Sequence, residues 1–397
     1  MKKKKAPLVR RMKEFVKTSV VWGPLDHNLF FTIIFLNVYG IIMVYSASYN
    51  NSITKNYSYF MNNQLKNVIF GFAIMIVASY VNYHRIVRLG WGWFWLLAAV
   101  AIIAALKTPL AHSELGATRW IKLGPVSFQA AEPIKAAIII FFAYYVSYWG
   151  LNRWYNQLLA CLLAIALLGF LFFFSNNLST VIVLFCICAV IILSSVKKPD
   201  LYWYFLLGLA LIIIAAIFVT VYLLMHQGAE NFRFVRIRAW LHPEEYAADE
   251  GLQAMQARYA IGAGGFWGKG LGQSLIKFKL SYSYNDFILA IICEELGVFG
   301  VIVMMTLFGY LLYRIYKIAQ NAWDIEGKVL AIGVFTQIAL QLLINVMVVT
   351  SVIPTTGVTL PFFSAGGSSV VFLLAELGMV LNVDKYAKER RFFEEAE

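Results

Sequence analysis

The stretch Asp286–Arg314, DFILAIICEELGVFGVIVMMTLFGYLLYR, decides the fold. It opens on a carboxylate and closes on an arginine, and Glu294 and Glu295 are its only charges between. A run of about 20 apolar residues is what one helical span of a bilayer requires. Working outward, nine more apolar segments appear, near 28–48, 66–83, 90–106, 132–149, 156–174, 177–195, 201–225, 328–352 and 367–383. The whole chain is 61% hydrophobic and only 14% charged. A soluble domain carries about 25% charged residues, and a chain with this composition would expose large apolar patches. Disorder needs the opposite bias. The expected fold is therefore an all-α integral membrane protein of ten transmembrane helices.

The segments between spans alternate in charge. One side carries the N-terminus, Arg85, Arg88, Arg153, Lys197, Lys198, Arg314, Lys317, Lys328 and the C-terminal Lys385, Lys388, Arg390 and Arg391. That side holds 20 basic residues, against 6 on the other once the long loop 226–285 is set aside. Both termini are thus expected in the cytoplasm, with the long loop between spans seven and eight outside. The implied organisation is a basic amphipathic segment over 1–25, a membrane domain over 26–383 and a cytoplasmic tail over 384–397. The net charge of +12 follows from this bias and from anionic headgroups, and implies no nucleic-acid partner. Cys161, Cys186, Cys188 and Cys293 lie inside apolar runs and read as packed hydrophobes, and the scattered histidines suggest no metal cluster.

Ionisable residues inside spans are costly and point to function. Asp286 begins the eighth span. In a continuous helix Glu294 would lie roughly 12 Å deeper and about 80° round, so the two could share one cavity. Glu132 and Lys135 can pair across a helical turn at the start of the fourth span. Glu376 falls near the middle of the tenth. In the long loop Arg233, Arg236 and Arg238 cluster, a residue type suited to bidentate phosphate binding. The glycines from Gly262 to Gly272 fit neither dinucleotide nor P-loop spacing and read as tight turns or close approach of backbone to a helix or substrate. The uncharged stretch 353–366, with Pro354, Gly357 and Pro361, reads as a folded or re-entrant loop.

These residues resemble the SEDS family (shape, elongation, division and sporulation), and its FtsW and SpoVE members more than RodA. The resemblance spans about residues 26–383. It rests on Val44-Tyr45-Ser46-Ala47-Ser48, Gly116–Ile121, Phe128–Glu132 with Lys135 following, Arg233 and Arg236 ahead of Pro243, Asn285–Ile288, Glu294–Gly297, and Pro354–Gly357 continuing through Leu360–Ser369. The chain departs from the family pattern at Ala130-Ala131, at Tyr284-Asn285, where the family has His-Thr, and at Ala365. The resemblance implies a peptidoglycan glycosyltransferase that polymerises glycan strands from lipid II at the outer face of the bacterial plasma membrane. It implies Asp286 as the catalytic residue and a class B penicillin-binding protein, among other divisome or elongasome proteins, as partner. Arg119, Glu132, Lys135, Arg233, Arg236, Glu294 and Ser368 are the residues expected at the substrate. Mg²⁺ could share the pyrophosphate's charge, though no spacing demands a metal. A lipid II flippase and a non-catalytic scaffold for the transpeptidase are the alternatives. A channel is not, because no ring of carboxylates is seen.

Overall fold

A computed structural model describes residues 20–48, 59–114, 117–124, 126–175, 177–196, 232–246, 250–278 and 284–395. The described chain is mostly helical. In order come α1 (His27–Ser48), α2 (Tyr59–Tyr80), α3 (Tyr83–Val87), α4 (Trp93–Ala105), β1 (Ala111–Glu114), β2 (Ala117–Leu123) and β3 (Val126–Gln129). Then follow α5 (Ala131–Trp149), α6 (Trp154–Ser175), α7 (Leu178–Ser195), α8 (Phe232–Leu241), α9 (Glu250–Gly264), α10 (Ile288–Asn321), α11 (Ile325–Val349) and α12 (Gly367–Glu395). Six of these, α1, α6, α7, α10, α11 and α12, are long and apolar enough to cross a membrane.

Nine of the ten apolar segments coincide with helices α1, α2, α4, α5, α6, α7, α10, α11 and α12. The other, 201–225, lies outside the described residues, as does the basic segment up to residue 19. These helices are apolar on nearly every face, because one side meets neighbouring helices and the other meets lipid. The most extensive packing runs between α2 and α12. Helix α11 lies at the centre, against α10, α5, α7 and α12. Its first turn is capped by Asp324, whose Oδ1 accepts the Gly327 N–H at 2.8 Å.

Three features differ from the all-helical expectation. The segment 107–131 folds into an antiparallel sheet in the order β1-β2-β3. Leu123 pairs with Val126, and Gly124 adopts φ +62° just after β2. Second, α12 continues through 384–395, so no break separates the tenth apolar segment from the tail. Third, α10 begins at Ile288, which leaves Asp286 in the turn ahead of the helix.

Helix α10 is also broken, at Gly297 (φ +65°). A break frees backbone groups that lipid cannot satisfy. Here the glycine-rich run after α9 supplies the partners. Lys269 and Gly270 donate their N–H groups to the carbonyls of Glu294 (3.0 Å) and Glu295 (2.9 Å). Val298 and Phe299 donate to the carbonyls of Gly265 and Phe266, both at 3.1 Å. Gly268 has φ +78° and faces the Glu295 carbonyl so closely that a Cβ would not fit. Gly264 and Gly268 thus serve close approach to a helix.

Candidate functional site

Two short segments meet at the start of α10, the turn 284–287 and the loop 353–366. Side chains and backbone stitch them together. The Ala365 N–H donates to the Tyr284 carbonyl at 2.9 Å. Ser364 Oγ donates to the Asn285 carbonyl (2.9 Å) and accepts the Leu360 N–H (2.8 Å). Asn345, buried on α11, donates Nδ2 to the carbonyls of both Asp286 (3.0 Å) and Val358 (2.9 Å). The backbone that carries Asp286 is therefore fixed on both sides of its Cα, while its side chain is only half-buried. Within the loop, buried Phe362 adopts φ +67°, a left-handed conformation that costs a bulky residue about 1–3 kcal/mol. Its ring packs on Phe308 of α10, 6.1 Å between centroids.

The same loop walls two cavities. One, partly open to its surroundings, is lined by Glu132, Lys135, Thr180, Gln341 and Gly357–Thr359. Glu132 and Lys135 form an ion pair at 2.9 Å across the first turn of α5, both side chains nearly inaccessible. Glu376 accepts a hydrogen bond from Gln337 Nε2 at 2.7 Å and is within electrostatic reach of that pair. Ser368 Oγ accepts the Gln129 N–H at 3.2 Å, which ties the start of α12 to the end of β3 beside this cavity. The second, smaller cavity is lined by Arg236, Trp240, Val348, Ser351 and Thr355. Trp240 Nε1 donates to the Ser351 carbonyl at 2.9 Å and anchors α8 to the end of α11. The structure thus gathers Asp286, Glu132, Lys135, Arg236 and Ser368 around one loop. Arg119 lies on β2, and Arg233 lies on α8, three residues before Arg236.

Glu294 is placed differently. It is fully buried at the break in α10 and its oxygens are taken by the chain itself. Lys269 Nζ lies at 2.7 Å, the N–H groups of Leu275 and Ile276 at 3.2 and 3.3 Å, and Ser274 Oγ also donates to it. Glu295 accepts from Ser46 Oγ (2.5 Å) and the Ser274 N–H (3.3 Å), with Lys277 Nζ at 3.5 Å. The two glutamates therefore hold residues 269–277 against α10 and α1. Neither cavity above includes Glu294.

Sequence reasoning passed over Gln337, Gln341 and Asn345. Their signal was present: three amides at intervals of four in an apolar run, which puts them on one stripe of a helix. That stripe of α11 contacts, in turn, Glu376, the first cavity and the Asp286 turn. Ser364 and Thr355 were marked only as part of the motif-bearing stretch 353–366, since neutral Ser and Thr in a loop do not stand out by their chemistry.

Comparison with known proteins places this arrangement. The family model FTSW_RODA_SPOVE, described as "Cell cycle protein", matches residues 26–389. The chain is 31% identical over 382 residues to a Trichlorobacter lovleyi protein named "Probable peptidoglycan glycosyltransferase FtsW", covering 94% of this chain and 96% of that one. It is 33% identical over 370 residues to stage V sporulation protein E of Bacillus subtilis, covering 90% and 96%. Among solved structures, a chain from "Structural coordination of polymerization and crosslinking by a peptidoglycan synthase complex" superposes with a TM-score of 0.75 at 23% identity, covering 91% of this chain and 98% of that one. Thermus thermophilus rod shape determining protein RodA gives 0.65 at 22% identity, covering 91% and 97%. At these identities the two structures establish likeness of fold.

Proposed function

The chain belongs to the FtsW/RodA/SpoVE family of cell cycle proteins, and from that premise we propose that Asp286 is the base of a peptidoglycan glycosyltransferase. The protein is a multi-pass integral protein of the bacterial inner membrane. Its activity is peptidoglycan polymerisation in division or sporulation, consistent with relatives named FtsW and SpoVE. We take the full topology to be ten spans with both termini cytoplasmic, which the distribution of basic residues supports.

The substrate is lipid II, a disaccharide peptide on a polyprenyl pyrophosphate. In the reaction a sugar 4-hydroxyl attacks an anomeric carbon. The new carbon–oxygen bond forms as the bond to pyrophosphate breaks, and the leaving group takes the electron pair. The hydroxyl proton passes to Asp286, a general base at the outer end of α10. Arg236 and Lys135, with Arg119 and Arg233, hold the pyrophosphate as negative charge builds on it. Glu132 keeps Lys135 in place, and Ser368 secures β3 beside it. We assign Glu294 to holding the loop after α9 against α10. A Mg²⁺ ion carried by the pyrophosphate would share its negative charge, since such ions take only one or two protein carboxylates. A class B penicillin-binding protein is the proposed partner, and the likeness to a chain from a peptidoglycan synthase complex supports it.

The observation that carries this reading is the pinned turn, with Asp286 held rigidly beside a loop that walls two cavities. Preorganisation of this kind is what a transferring enzyme needs and a passive scaffold does not. The test is gel analysis of glycan strands made from purified lipid II with the transpeptidase present. Wild-type protein yields polymer and Asp286→Asn yields none, while both co-purify with the partner. Polymer from the Asp286→Asn protein would overturn the role of Asp286. Absence of polymer from the wild type would favour the flippase or scaffold.

A further inference from the structure

One buried carboxyl group is left unused by the reaction scheme. Glu376 on α12 and Gln337 on α11 are each 1% exposed, and Gln337 Nε2 donates to Glu376 Oε2 at 2.7 Å. Gln337 stands one helical turn before Gln341, about 6 Å along α11. Gln341 lines the same cavity as Glu132 and Lys135. The Glu376–Gln337 pair therefore lies on the inner side of that cavity, deeper in the bundle. Two oxygens of the pair, Glu376 Oε1 and Gln337 Oε1, are buried and accept no hydrogen bond.

Buried acceptors without a donor are rare and call for an explanation. Here one proton satisfies both. A carboxylic acid and a primary amide have complementary edges: the amide N–H donates to the acid carbonyl, and the acid O–H donates to the amide carbonyl. The first of these bonds is the one at 2.7 Å. A proton on Glu376 Oε1 supplies the second. The surrounding charges agree. Those that act on Glu376 are Lys135 and Glu132 of α5, and Lys135 is already paired with Glu132 at 2.9 Å. Helix α2 meets α12 through Gly71 and Met75, and its buried face carries no titratable group. On α10, Glu294 and Glu295 are held by residues 269–277 and Ser46. Tyr83 and His84 of α3 meet α12 only at Tyr386, and Asp324 and Glu326 lie at the far end of α11. An ionised Glu376 would leave two buried carboxylates to share one ammonium, a surplus charge that is costly to bury.

We infer that Glu376 carries a proton shared with Gln337, and that this neutral pair keeps a second negative charge away from the place where Lys135 meets the pyrophosphate. The proton stands on the unpartnered oxygens and the surrounding charges, and its consequence for the substrate rests on the glycosyltransferase reading above. Glu376 is a positioning residue in this scheme. It acts through Lys135, whose charge it leaves to Glu132 and the substrate.

The experiment has two arms, each comparing the full wild-type chain with Glu376→Gln, whose amide can pair with Gln337 as the acid does. The first is the infrared spectrum in detergent at neutral pH. Wild-type protein shows the carbonyl stretch of an un-ionised carboxyl group, and the variant lacks that component. The second is polymerisation of lipid II with the transpeptidase, read as KM and kcat separately from neutral to alkaline pH. At neutral pH the two proteins have the same KM. As pH rises Glu376 ionises, and the added charge raises wild-type KM about two- to tenfold above that of the variant. Changes that arise from Lys135 or the substrate appear in both proteins and cancel in the comparison. Identical infrared spectra would overturn the proton on Glu376. So would a Glu376→Gln protein that fails to fold or has a raised KM at neutral pH, because the negative charge would then be needed. Parallel KM profiles across the pH range would overturn the action on Lys135. A wild-type protein that makes no polymer would overturn the glycosyltransferase reading, while the infrared arm still reports on the proton.

Discussion

The two ends of the helical bundle differ in what their interhelical polar side chains bind. At the proposed cytoplasmic end they close on one another. Arg314 Nη2 meets Asp26 Oδ2 at 2.5 Å, Arg88 Nη2 meets Glu326 Oε1 at 2.8 Å, and His84 Nε2 meets Asp324 Oδ2 at 2.5 Å. Ser147 and Tyr83 add hydrogen bonds to the same carboxylates. At the other end the neutral side chains of Asn345, Ser364 and Ser368 bind backbone. That arrangement fixes a scaffold around two cavities with Glu132, Lys135 and Arg236 in their walls. One end is a set of cross-links between helices, and the other is a frame of backbone bonds around the Asp286 turn. Changes at the two ends should therefore separate stability from activity.

The largest separation is expected at Asp286. Loss of a general base lowers a rate by about 10²–10⁴-fold. Asp286→Asn keeps the shape, and the backbone bonds of the turn do not depend on the carboxylate. Polymerisation should therefore collapse while the unfolding midpoint in detergent falls far less. An equal fall in both would place Asp286 with the cross-links and break the contrast.

Lys135 tests whether the buried ion pair belongs to the frame or to the chemistry. Lys135→Met leaves Glu132 charged and buried without its partner, which costs about 3–5 kcal/mol. Adding Glu132→Gln removes the stranded charge, so the double variant should recover most of the stability in denaturant unfolding. Polymerisation should stay low in both, because the ammonium is proposed to face the pyrophosphate. A double variant that regains activity along with stability would make the pair purely structural.

Glu294 sharpens the comparison from within the outer half. Hydrogen bonds to a charged group contribute about 1.5–3 kcal/mol, so Glu294→Gln should loosen residues 269–277 by an amount in that range. Amide hydrogen exchange across Lys269–Lys277 would report it. KM for lipid II should be unchanged in the protein that remains folded. A raised KM would return Glu294 to the substrate, where its position eight residues after Asp286 first put it.

How much of this was legible in the sequence depended on the kind of interaction. Bilayer burial is written in composition, so the apolar runs from 28–48 to 367–383 coincide with helices wherever the chain is described. Charges in apolar surroundings were legible too, and Glu132, Lys135 and Asp286 were found that way. Partner choice was not. The sequence places Glu294 and Asp286 in one run, but Gly297 breaks the helix and the loop after α9 takes the glutamate's oxygens. The strands at 111–129 are too short for their alternation to stand out beside long apolar runs. The amides of α11 are neutral and draw no notice until their bonds to distant backbone are seen.

The smallest effect is expected at Asp324, and it should depend on pH with a definite sign. Burial alone would raise the pKa of this carboxyl. The hydrogen bonds from His84, the Gly327 N–H and Tyr83, with the field of His84, outweigh burial and hold it below the ordinary value of 3.8. A carboxyl with a depressed folded-state pKa contributes stability above its unfolded pKa. That contribution is lost as pH falls through the folded value. Wild-type protein should therefore lose stability as pH drops below 3.8, and Asp324→Asn should lose less over the same window. At neutral pH the variant keeps a capping oxygen for the Gly327 N–H, since asparagine caps about as well as aspartate, and gives up only the negative charge beside His84 and the start of α11, about 0.3–1 kcal/mol. Its polymerisation per folded molecule should match the wild type, because Asp324 lies at the end of α11 opposite Asn345 and the Asp286 turn. Acid-sensitive activity that tracks Asp324 in folded protein would mean that the two ends communicate through α11, and the division between cross-links and frame would not hold.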